Sequence, residues 1–175
     1  ANDSIQTVGT FIASNEHRPW WVLWLFIGGV FLLTIGYGWA VADPVGDVSY
    51  GRLSTPAFSQ TPVSFNFFQV AAPLFLLVLT RMRMPVSTTF LILTCFATEV
   101  KGVQDVLEKS LYGYGFAFIF GAFMFAITAT WFKRHAGTKP SRWWVPAQWI
   151  STATLWASWI MQDMANLAVY LPRQL

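Results

Sequence analysis

Two short polar blocks stand out in an apolar chain. "ANDSIQT" at residues 1–7 sets Asp3 behind Asn2 and ahead of Gln6. "MQDMANL" at residues 161–167 repeats the pattern, with Gln162 before Asp163 and Asn166 after it. A carboxylate flanked by amides offers hard oxygen ligands for a cation such as Na⁺, and the amides add N–H donors for an anion. Between the blocks lies "PVSTT", residues 85–89. Proline suits the first turn of a helix, where its missing N–H does no harm. Ser87, Thr88 and Thr89 would then stand at a helix start, where unpaired N–H groups and the positive dipole end favour negative charge. The plainer reading of the hydroxyls is bonding to their own backbone or to a neighbouring helix. Ionisable groups inside a membrane are costly and usually functional. Asp3 and Asp163 are the two acids that fall outside the loops.

The composition says what must position these groups. Of 175 residues, 55% are hydrophobic and 11% charged. A soluble domain carries roughly 25% charged residues. The chain reads as one all-α domain, residues 1–175, a polytopic membrane protein whose length holds about five or six spans of ~20 residues. Sixteen Phe and ten Trp fit lipid-facing surfaces and interfacial belts. The net charge of +3 reads as loop charge that sets topology, not as a nucleic-acid surface. Cys95, the single cysteine, lies in an apolar run and excludes a disulfide framework. His17 and His135 fall in loops and suggest neither a metal nor a haem site. No covalent chemistry is indicated, so an enzyme is not expected, and neither is a cofactor.

Apolar segments are expected over 20–41, 65–80, 86–98, 111–132 and 143–171. The stretches 42–62 and 133–142 read as loops from their Pro, Gly and charged residues. If every segment crosses once, seven of the eleven basic residues share one side: Arg18, Arg81, Arg83, Lys133, Arg134, Lys139 and Arg142. Arg52, Lys101, Lys109 and Arg173 lie on the other, with Asp43, Asp47, Glu99, Asp105 and Glu108. The positive-inside rule then makes the 133–142 loop cytoplasmic, in the cell's inner membrane. Segments 65–80 and 86–98 are short, and together they read equally as one re-entrant hairpin. The two Asp-amide blocks, some 160 residues apart, suggest an internal repeat of the kind found in secondary transporters, which bind at the midplane where the repeats meet.

"ANDSIQTVGT", "PVSTTF" and "QDMANL" together resemble the motifs of the inorganic phosphate transporter (PiT) family, in order and in approximate spacing. The resemblance implies an inverted-repeat fold with broken or re-entrant helices, and phosphate uptake coupled to Na⁺ or H⁺. It assigns Asn2, Ser87, Thr88, Thr89 and Asn166 to the oxyanion and Asp3, Gln6, Asp163 and Gln162 to the coupling cation. Gly9 and Thr10 match the Gly-Thr that closes the first motif. The chain departs from the family at Gln6 and Gln162, which replace Asn, and at Phe90, which stands where a His follows the threonines. A second hydroxyl block is absent. The resemblance therefore implies a portion of a longer transporter, or a reduced form completed by a second copy or by other membrane subunits. The competing expectation is a small accessory subunit of a larger membrane complex, its polar motifs serving helix packing.

Overall fold

In the computed structural model, residues 2–41, 46–54, 58, 64–82, 84, 86–97, 100–137 and 141–171 are described, with side chains from Thr7 onward. Six helices follow one another: α1 (Asn2–Ser14), α2 (Trp20–Val41), α3 (Phe67–Arg81), α4 (Thr88–Phe96), α5 (Val100–His135) and α6 (Trp144–Ala168). No strand occurs among the described residues. The all-α expectation is met.

α6 organises the fold, packing against α1, α2 and α4. Asn15 Nδ2 donates to Gln148 Oε1 at 3.2 Å, and Phe11 sets its ring edge-on to Trp149 at 5.0 Å. Moving back along α1 therefore means moving forward along α6, so the two run antiparallel. α2 runs beside them. Phe26 lies against Trp149 with tilted rings 4.6 Å apart, and Trp156 Nε1 donates to Ile27 O at 3.2 Å. Around the far end of α6 sits the apolar core: Leu53, Phe58, Ile92, Leu93, Phe96, Ala165, Ala168 and Val169.

α3 and α4 form a helical hairpin. α3 starts with a reciprocal cap: Gln69 N–H donates to Asn66 Oδ1 at 2.9 Å, and Asn66 N–H to Gln69 Oε1 at 3.0 Å. Pro73 lies inside α3 and has no N–H. The carbonyl four residues earlier, Gln69 O, thereby loses its helical partner. Tyr170 replaces that partner, its hydroxyl donating to Gln69 O at 3.0 Å. Cys95 is half-buried, as expected of a small core side chain.

Among the described residues two helices, α2 (22 residues) and α5 (36 residues), are long and apolar enough to cross a membrane. α5 is exposed on all sides from Leu111 to Thr128. Phe, Tyr and Ile all round a helix suit hydrocarbon, not water. The other three apolar segments behave differently. At ~1.5 Å per residue, α3 is about 22 Å long and α4 about 14 Å, against a hydrocarbon core of ~30 Å. Neither matches the single crossing that one sequence layout assigns to it; the hairpin layout fits their lengths. α6 is long enough but carries Ser, Thr, Asp and Asn, of which Thr152 and Asn166 are buried in the fold and Ser151, Thr154 and Ser158 are exposed. The charged stretch 100–110, expected in a loop, is instead the first three turns of α5. Lys101, Asp105 and Lys109 recur at a spacing of four, which stabilises a helix by pairing opposite charges. The expectation for Pro85 lies outside the described residues.

Candidate functional site

Three of the polar residues singled out in the sequence meet where the start of α4 abuts α6. Ser87 is the N-cap of α4, and its Oγ accepts from Phe90 N–H at 3.3 Å. The expected helix start is therefore present, and Ser87 serves first as its cap. Thr88 and Thr89 occupy the first two positions of α4, both half-buried. Asn166 reaches across from α6: its Nδ2 donates to Thr89 Oγ1 at 3.1 Å and to Asp163 Oδ1 at 3.3 Å. The Thr89–Asn166 contact joins residues 77 apart in the chain. Asp163 and Asn166 lie three apart on α6, so one helix face presents both.

The Asn166 amide is only partly satisfied. The residue is 8% exposed, and its Oδ1 is sealed from solvent with no hydrogen-bond partner among the described residues. Its orientation follows from Asp163. Turned the other way, Oδ1 would face the carboxylate and two acceptors would meet. The carboxylate thus holds the amide nitrogen toward itself and leaves the oxygen without a donor. An unpaired buried acceptor typically costs about 1–3 kcal/mol. The site tolerates that cost at one motif residue.

The other assigned residues are placed differently. Gln162 is exposed, and the contact it makes runs through its main chain: Arg52 Nη1 donates to Gln162 O at 2.7 Å. Asn2, Asp3 and Gln6 lie on α1, and their side chains fall outside the described residues. Their backbone can still be placed. Twelve residues of helical rise, about 18 Å, separate Asn15 from Asp3, which sets Asp3 at the level of roughly Ile160 on antiparallel α6. That is one turn from Asp163. Further along α1, Thr7 Oγ1 is also buried with no hydrogen-bond partner among the described residues. The first motif thus carries an orphan polar atom of its own.

Arg52 is the residue that the sequence did not single out. It read there as a loop charge. The structure ties it to the peptide just ahead of Asp163, in a contact between residues 110 apart. Its loop is built locally: Asp47 accepts from Ser49 N–H at 2.8 Å and from Gly51 N–H at 3.0 Å, and Tyr50 donates its hydroxyl to Thr34 O. Tyr50 takes φ 55°, a strained backbone for a bulky residue. That turn lays its ring on Gly38, where a Cβ would come within 2.6 Å of the ring. An Asx turn beginning at Asp47 was the available signal for an ordered loop; nothing local pointed to α6.

Most other hydroxyls follow the plainer reading. Thr94 bonds back to Phe90 O, Ser158 to Thr154 O, Thr154 to Ile150 O and Ser151 to Gln148 O. No group of three or more His, Cys, Asp or Glu able to hold a metal occurs among the described residues. No family model, curated protein or solved structure matches the chain, so the phosphate-transporter resemblance rests on the quoted motifs alone.

Proposed function

We propose that the chain is an integral membrane protein that moves an inorganic oxyanion, phosphate first, by secondary transport coupled to Na⁺ or H⁺. The observation that carries this reading is the Asp163–Asn166–Thr89 linkage at the positive end of α4, with an unsatisfied amide oxygen buried inside it. The helix start and its hydroxyls would hold the anion, and Asp163 with Asp3, Gln6 and Gln162 would hold the coupling cation. α2, α5 and α6 would cross the bilayer, and the α3–α4 hairpin would enter and leave on one side. The basic loop 133–142 would face the cytoplasm at the inner membrane. Alternating access would rock the hairpin against α6, with a second inverted repeat or a second copy completing the path. Arg52 would belong to this site as a positive charge held on the Gln162 carbonyl, in the peptide ahead of Asp163.

The test is uptake of radiolabelled phosphate by the reconstituted full chain. Thr88→Ala and Asp163→Asn should each lower uptake roughly tenfold, the usual cost of one lost charge-assisted contact. Uptake no greater than in empty liposomes overturns the transport reading.

One observation favours a second reading. Ser87 caps its own helix and Thr89 pairs with Asn166, so these groups also act as polar glue between helices. In that case the chain is an accessory subunit of a larger membrane complex. Co-purification with larger membrane subunits, together with no uptake by the chain alone, is its expected signature.

A further inference from the structure

We infer that the junction of α5 and α6 is a binding surface for acidic phospholipid headgroups. The inference rests on the chain lying in a bilayer, as proposed above, and is independent of what the chain transports.

Lys133 and Arg134 fall in the last turn of α5, and Arg142 stands two residues ahead of α6. All three are exposed, and none forms an ion pair among the described residues. No Asp or Glu occurs between Glu108 and Asp163, so the local sequence supplies no counterion. Lys133 and Arg134 also suit the negative end of α5. Arg142 has no such reason, because it precedes the positive end of α6. Arg18 stands at the same end of the molecule, its guanidinium 5.1 Å from the centre of the Trp149 ring. Beside it in the chain is Glu16, one acid against four cations.

Aromatic rings gather with these charges. Trp131 lies 5.4 Å from Trp144 and ties the end of α5 to the start of α6, and His135 stacks on Trp131 at 4.5 Å. Trp143, Phe132 and Trp144 are 72%, 63% and 52% exposed. Large aromatics beside cations suit the layer between hydrocarbon and water.

Helical rise sets the levels. The stretch from Leu111 to Thr128, exposed all round, is about 26 Å long, close to a hydrocarbon core of ~30 Å. Lys133 stands about 7.5 Å beyond Thr128, at the depth of the headgroups. A soluble anion matches the cations alone. An acidic phospholipid matches both parts of the surface, with its chains along α5 and its phosphate on Lys133, Arg134 and Arg142. The other end of α5 has no such bias, since Asp105 and Glu108 offset Lys101 and Lys109. Acidic lipid therefore gathers at one end of the helix, in one leaflet.

The experiment places the full chain in phosphatidylcholine vesicles and compares the association of spin-labelled phosphatidylglycerol with that of spin-labelled phosphatidylcholine. The acidic lipid should be preferred about tenfold at low salt, and about 1 M NaCl should shrink the preference. Lys133→Gln, Arg134→Gln and Arg142→Gln together should bring the ratio to about one. Lys101→Gln with Lys109→Gln, at the other end of α5, should leave it unchanged. If the triple variant does not fold, Arg142→Gln alone should lower the ratio about threefold. Equal association of the two lipids in the unmodified protein overturns the inference. So does a preference that survives the triple replacement, or one that falls equally with the Lys101 and Lys109 pair. Displacement of the acidic lipid by millimolar inorganic phosphate marks a site for the free anion and overturns it as well. A chain that alkaline carbonate strips from the vesicles removes the membrane reading and this inference with it, whereas a failure of phosphate uptake leaves the lipid ratio untouched.

Discussion

Asn166 and Gly38 show two ways a single position constrains this protein. Asn166 is held by its neighbours in an orientation that leaves one of its own atoms unsatisfied. The chemistry of that position could be anticipated, because an amide three residues from an aspartate on a helix shares its face. Its partner could not, since Thr89 lies 77 residues away and nothing local selects it. Gly38 is the opposite case. In the sequence it is one of several glycines in an apolar helix. In the structure Tyr50 lies against it and donates to Thr34 O. Gly38→Ala should destabilise the protein by about 1–3 kcal/mol through overpacking. Thermal unfolding in detergent checks this, and Gly36→Ala, which meets open space, is the control that should cost far less.

The α3–α4 hairpin turns a helix defect into a tertiary contact. Pro73 frees the Gln69 carbonyl, and Tyr170 binds it from beyond the end of α6. Tyr170→Phe should therefore cost about 1–3 kcal/mol, the price of leaving a buried carbonyl unpaired. The test is a double-mutant cycle. Replacing Pro73 by Ala restores the N–H that closes the bond to Gln69 O, so Tyr170→Phe should cost much less in that background. An equal cost in both backgrounds refutes the linkage. The hairpin was legible as two short apolar segments. The Pro73–Tyr170 relation was not, because it couples a backbone vacancy to a side chain about a hundred residues later.

For the whole molecule, the exposure of α2 and α5 and the short arms of α3 and α4 favour crossings by long helices and a hairpin between them. Single cysteines placed at Arg52 and at Arg142, in a Cys95→Ser background, should react with a membrane-impermeant maleimide from opposite sides of sealed vesicles. α3, α4 and α5 lie between those two positions, so labelling of both from the same side refutes the one net crossing that a re-entrant α3–α4 hairpin followed by α5 requires.

Composition and periodicity indicate an all-helical chain with helices apolar enough to cross a membrane before any contact is known. Runs of about 20 apolar residues, if they lie in a bilayer, must satisfy their backbone internally, and helices do that within a single segment. The N-cap at Ser87 and the shared face of Asp163 and Asn166 are local for the same reason, since both depend on neighbours within one helical turn. Which distant groups meet is a different matter. That Thr89 faces Asn166, that Arg52 docks on the Gln162 carbonyl and that Tyr170 completes α3 depend on how helices pack. Packing energy is summed over many weak contacts far apart in the chain, so no short stretch of residues encodes it.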